Sequence, residues 1–172
     1  IGLPEYCAIP FIPPLQNILA KKAPNIRITT ANTNMINAED KLKNEEIDFA
    51  IGHLPKPPKI INQKNLYKEK YIGIGTSDKK KNFSSKKNYF NSEHLHVSLK
   101  GENSGFIDGY LEKENIGQRQ TRITLSNYIF SLNFLKNSDL IATEPYHAMK
   151  YLVKNFDLKI FDLPFKSPEI QI

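Results

Sequence analysis

Cys7 is the chain's one cysteine, so no internal disulfide can form. That excludes a disulfide-stapled secreted scaffold and fits a reducing compartment, with the cytoplasm as the expected location. No apolar run approaches the roughly 20 residues that cross a bilayer, and no charged stretch leads into an apolar one near Ile1. Neither a membrane span nor a signal peptide is expected in these residues. Catalytic motifs are missing as well. There is no Walker loop and no Gly-x-Ser-x-Gly elbow, and Gly73-Ile74-Gly75 lacks the third glycine and following helix of a dinucleotide fingerprint. No acid/base pair or nucleophile constellation can be assembled, so the chain is read as a non-enzyme with no cofactor.

What is present is ordinary globular chemistry. Of 172 residues, 40% are hydrophobic and 24% charged, with 10 Phe and 8 Tyr. That length suits one domain or one fold of two small lobes. Lys and Arg number 24 against 18 Asp and Glu, a net +6. This permits acidic partners without requiring one. The lysines Lys79, Lys80, Lys81, Lys86 and Lys87 have little aromatic interleaving and read as a solvated loop rather than a nucleic-acid surface.

Strand-like and helix-like segments alternate along the chain, the mark of an α/β fold. Strands are expected at Ile1-Gly2-Leu3, Ile26–Thr29, Asp48–Ile51, Tyr71–Ile74, His94–Leu99, Thr121–Leu125, Asp139–Thr143 and Leu158–Leu163. The first helix carries Ile12, Leu15, Ile18 and Leu19 on one face and ends near Lys21-Lys22, where cations suit the helix dipole. Further helices are expected at 39–44, 104–115 with Ser104 as a cap, 129–136 capped by Ser126-Asn127, and 146–155. Pro55-Lys56-Pro57-Pro58 cannot sit in a central strand and marks a connection. The Lys/Ser/Asn-rich stretch Asp78–Asn88 reads as a boundary or mobile loop. Two runs of strand-helix units flank it, which suggests two α/β lobes with the ligand site in the cleft between them.

His94 and His96 are two apart and in a strand would share a face. Without a third ligand nearby they read as a plain surface pair rather than a metal site. A different pattern points to ligand binding. Polar residues recur where strands end and helices begin: Glu5 and Tyr6, Ser98 and Lys100, Ser126, Asn127 and Tyr128, then Thr143 and Glu144. In α/β folds those positions hold ligands against helix N-termini.

Several stretches resemble a known family. Pro13-Pro14-Leu15 followed by Ala23-Pro24-Asn25-Ile26-Arg27-Ile28 resembles the opening of the effector-binding domain of LysR-type transcriptional regulators. Lys41-Leu42 through Glu46-Ile47-Asp48-Phe49-Ala50-Ile51-Gly52 resembles their "D-L-A-I-G" stretch, with Asn44-Glu45 where a glycine is usual. Ser138-Asp139-Leu140-Ile141-Ala142-Thr143-Glu144-Pro145 is the most specific likeness, and His96-Val97-Ser98 is another. With Phe106-Ile107-Asp108-Gly109-Tyr110-Leu111, the chain is most similar to the branch of aromatic-degradation and nodulation regulators.

That resemblance implies a type 2 periplasmic-binding-protein fold: residues 1–72 plus 161–172 as one lobe, 73–160 as the other, joined by two crossing strands. It implies a small-molecule effector in the interlobe cleft, promoter DNA bound through a winged helix-turn-helix outside these residues, and a homodimer or homotetramer. The family's ligand contacts carry over to Glu5, Tyr6, Cys7, Ser98, Lys100, Asn127, Tyr128 and Thr143. An aromatic acid fits helix N-termini, Lys100 and the tyrosines. Glu5 and Glu144 disfavour an anion unless they point away, which leaves a neutral phenol or a cation-bearing ligand open. The alternative function is a periplasmic solute-binding protein serving a transporter.

Overall fold

A computed structural model of the chain describes residues 1–34, 36–54, 57–76, 83–98 and 101–172. It divides into two compact units, Ile1–Glu69 with Ile170–Ile172, and Lys70–Glu169.

In the first unit, β1 (Gly2–Leu3) runs parallel to β2 (Ala31–Asn32), with α1 (Glu5–Lys22) between them and α2 (Ala38–Lys43) after them. Gly2 is glycine for packing reasons. A Cβ there would lie 2.4 Å from Ile47 Cδ1 and 2.7 Å from Thr33 Oγ1. Helix α1 continues through Pro10, Pro13 and Pro14, which cannot donate to the carbonyls of Tyr6, Ile9 and Pro10 four residues back. The expected strand at Ile26–Thr29 is displaced to Ala31–Asn32. The pairing with β1 falls two residues later: Thr29 O accepts from the Ile1 N-terminus at 2.8 Å, and Ala31 N–H donates to Ile1 O at 2.9 Å. Ile26 is exposed as a result. Asp48–Ile51 likewise reduces to a single bridge, Ala50 to Gly2.

The second unit holds β3 (Lys68–Thr76) from Lys70 onward, α3 (Lys86–Phe90), β4 (Glu93–Val97), α4 (Phe106–Lys113), β5 (Gln120–Leu125), α5 (Tyr128–Lys136), β6 (Ile141–Pro145), α6 (Tyr146–Leu152) and β7 (Leu158–Phe161). The sheet order is β5-β4-β6-β3-β7. β4 runs parallel to both β5 and β6, and β3 is antiparallel to β6 and β7. The mixed α/β architecture is the one the alternation implies. Ile72, Ile74, Leu95, Ile141 and Ala142 are buried on the strands, with Ile107, Leu111, Leu132, Leu135, Ala148 and Met149 buried on the helices. Packed apolar faces of this kind supply most of the folding free energy, about 25 cal/mol per Å² removed from water.

The division falls at Glu69/Lys70 and Glu169/Ile170, inside β3 and its partner β8 (Glu169–Gln171). The lobe limits that the resemblance implies, 72/73 and 160/161, lie three and nine residues from it. Phe161 pairs with Gly73, whose hypothetical Cβ would sit 2.1 Å from the Phe161 ring. Phe165 lies 5.4 Å from Tyr89 and 6.5 Å from Tyr110 by ring centroids. Ser167 Oγ accepts from Tyr71 N–H at 2.8 Å. These contacts hold residues 161–169 to the second unit. Lys79, Lys80, Lys81 and Lys100 lie outside the described residues.

Candidate functional site

In the second unit, the carboxyl ends of the parallel strands β4 and β6 meet the first turns of α4 and α5 around a cavity of about 210 Å³. Ligands of α/β sheets bind at such strand ends. β4 brings His96 and Val97, followed by Ser98; β6 brings Thr143 and Glu144; β3 brings Tyr71; Phe106 opens α4 and Tyr128 opens α5. Tyr71 and Phe106 stack with centroids 5.4 Å apart at 21°, forming an aromatic wall. α5 starts where it does because Asn127 Oδ1 accepts from Phe130 N–H at 2.8 Å. At α4 the cap is Gly105 rather than Ser104, and Asp108 Oδ2 accepts from the Gly105 N–H at 2.8 Å.

Beneath the cavity lies a buried polar network. Arg119 donates from Nε and Nη2 to the two carboxylate oxygens of Asp108 at 2.8 and 2.7 Å, and its side chain is 1% exposed. That bidentate pair holds the Asp108 carboxyl below its ordinary range against the opposing effect of burial. Tyr89 Oη and Thr143 Oγ1 share a hydrogen bond of 2.6 Å, and burial raises the Tyr89 phenol. His94 has no exposed surface; its Nε2 lies 3.0 Å from Tyr89 O, and burial lowers it to about 4, so it is neutral. His96 is lowered in the same direction, first by burial and then by the Arg119 charge. The strand register shifts between His94 and Leu95, and the two histidines do not form a matched pair: one is in the core, the other on the cavity wall. Among the described residues no three His, Cys, Asp or Glu side chains cluster to hold a metal.

Glu144 is the unusual group. It is 5% exposed, and burial pushes its carboxyl up to about 8, although Arg119, a hydrogen bond from Tyr128 and another from the Val97 N–H favour the ionised form. At neutral pH it is chiefly a neutral acid.

The sequence-predicted residues divide between the units. Ser98, Tyr128 and Thr143 converge on the cavity, with Ser98 Oγ also accepting from Glu102 N–H at 3.1 Å. Asn127 is exposed and serves as the α5 cap. Glu5, Tyr6 and Cys7 belong to the first unit at the start of α1, where Cys7 is fully buried and its thiol is pushed up to about 12, chiefly by burial. The sequence does not single out Arg119, Phe106 or Tyr71 as site residues, nor the protonation of Glu144, and it marks His96 as half of a histidine pair and as part of the His96-Val97-Ser98 likeness but not as a site residue. The strand-end position of Glu144 was the available signal. Two roomier spaces lie elsewhere: a groove of about 700 Å³ along α4, which shares Asp108 and Arg119 but not Thr143 or Glu144, and one of about 340 Å³ in the first unit beside Phe49, Leu54 and Leu66.

A model of the LysR substrate binding domain matches residues 1–172. The chain belongs to that family. This LysR domain is 31% identical over 164 residues to the HTH-type transcriptional activator NagR of Ralstonia sp, a match covering 94% of this chain and 54% of that protein. It is 27% identical over 174 residues to the HTH-type transcriptional activator NahR of Pseudomonas putida, covering 100% of this chain and 58% of that protein. The chain therefore spans little more than half the length of these relatives. The crystal structure of the regulatory domain of MexT, a transcriptional activator in Pseudomonas aeruginosa, matches with a TM-score of 0.86 at 24% identity, covering 99% of this chain and 84% of that one. The fold is thus that of LysR regulatory domains, the type 2 periplasmic-binding-protein architecture that the resemblance implies.

Proposed function

We propose that this chain is the effector-binding part of a LysR-type transcriptional regulator. The family match over residues 1–172 carries this reading. A small molecule with a planar ring enters the second-unit cavity between the Tyr71–Phe106 wall and Tyr128, and its polar end meets Ser98, His96 and Glu144. Binding shifts the population of domain conformations rather than driving chemistry, and promoter DNA is contacted through a helix-turn-helix segment outside these residues. Relatives described as transcriptional activators favour this over a transporter's solute-binding protein. The proposal includes the homodimer or homotetramer and the cytoplasmic location that the resemblance implies. Among the described residues no helix is long and apolar enough to cross a membrane.

The test is a thermal-shift panel of benzoates, hydroxybenzoates, phenols and amino acids on the chain. A ligand present at 100 times its Kd stabilises by about 2.7 kcal/mol. At least one ring-bearing member is expected to raise the melting temperature, and Phe106→Ala to reduce that rise. A panel with no shift, or a shift indifferent to Phe106→Ala, counts against the site.

A further inference from the structure

The hydrogen bonding around Glu144 favours a charge for which, among the described residues, Arg119 is the cation that acts on it. Its carboxyl receives two donors, the Tyr128 hydroxyl and the Val97 N–H. Both the acid and the carboxylate can accept these donors, and the two bonds lower the cost of the ionised form against burial. The nearby cation cannot serve it fully. Arg119 is committed through two short hydrogen bonds to Asp108, so that pair is neutral overall. The ionisable residues described on the cavity wall are then Glu102, the largely protonated Glu144, Arg119 in its pair with Asp108, and His96, whose charging burial and Arg119 both disfavour. The same cavity is lined by Tyr71 and Phe106, stacked on each other, with Tyr71 registered beside Pro145 on the neighbouring strand. Aromatic faces beside a carboxylate attract cations.

We propose that this cavity recognises an aromatic amine, with the ammonium paired to Glu144 and the ring held by Tyr71 and Phe106. This deepens the proposed function and rests on its reading of the cavity as the effector site. The ligand's positive charge replaces the proton on Glu144: the ammonium enters, the carboxyl releases its proton to solvent, and a carboxylate–ammonium pair remains. No covalent bond forms or breaks beyond that O–H. An anionic acid meets the opposite situation, because its charge adds to Glu102 and keeps Glu144 protonated.

Isothermal titration calorimetry at pH 7 in two buffers of different ionisation heat separates the possibilities. The probes are phenethylamine, phenethyl alcohol and hydrocinnamate, which share a ring and differ in the charge of the tail. The amine is expected to bind about tenfold tighter than the alcohol or better, the scale of one charged hydrogen bond. Close to one proton should be released per amine bound. Glu144→Gln is expected to remove the amine's advantage over the alcohol, and Glu144→Asp to retain part of that advantage. Alcohol binding equal to amine binding, hydrocinnamate binding tightest, or an amine affinity indifferent to Glu144→Gln each overturns the inference while the effector reading stands. If none of the three binds, the inference also falls, and the broader reading is then decided by the thermal-shift panel alone.

Discussion

Replacing Glu144 by Gln should change how stability depends on pH, and by an amount the structure sets. Burial holds the folded carboxyl at about 8 against its ordinary 4.5. Between those values the folded chain keeps a proton that the unfolded chain releases, so stability falls as pH rises through this window. Below pH 4.5 both states are protonated and the penalty is absent; above pH 8 it is complete. Each pH unit costs about 1.4 kcal/mol, so roughly 3 kcal/mol is lost between pH 4.5 and 7. The group is 5% exposed, so solvent does little to screen this cost. Glutamine keeps the shape and cannot ionise. Its amide adds a constant offset through its own hydrogen bonds, but not a slope. Urea unfolding of both proteins at pH 5, 6, 7 and 8 reads the difference directly, since every other titrating group cancels. The variant is expected to gain on the parent by about 1.4 kcal/mol per unit from pH 5 upward, levelling near pH 8. Parallel stability curves would refute the account of Glu144 as a buried acid.

Other consequences follow from the packing. Asp108→Ala leaves the Arg119 guanidinium buried without its partner and should cost about 3–5 kcal/mol in urea unfolding; a loss below about 1 kcal/mol would show that the pair is solvated. Cys7, fully buried with its thiol pushed up to about 12, should resist a thiol reagent at pH 8 in the folded chain and react only after denaturation. Gly73→Ala drives a methyl into the Phe161 ring and should destabilise by about 1–3 kcal/mol. Gly109→Ala in α4 meets nothing within 4 Å and should stabilise by up to about 1 kcal/mol, so equal effects at the two glycines would contradict the geometry.

The fold was legible where local pattern and pairing agree. Tyr71–Ile74 and Thr121–Leu125 read as strands from their alternating and apolar residues, and both lie within strands β3 and β5. Ile26–Thr29 shows the same alternation, yet the ladder with β1 forms at Ala31–Asn32, and periodicity does not say where along a segment the partner lies. The site was partly legible for a related reason. Strand ends are visible in a sequence, and Ser98, Tyr128 and Thr143 were found there. Arg119 was not, because its importance lies in an ion pair with Asp108 and in its nearness to Glu144, His94 and His96, none of which is encoded by spacing. Glu144 was visible as a strand-end acid. Its altered protonation comes from burial, which only tertiary structure supplies.

The central claim is that the cavity at the ends of β4 and β6 holds the effector, and chemical-shift mapping tests it most directly. An amide NMR titration of the chain with the strongest stabiliser from the panel should move Val97, Gly105, Tyr128 and Glu144 together, saturating with one affinity. Shifts confined to the first-unit groove around Phe49, Leu54 and Leu66, with those four amides unmoved, would contradict it.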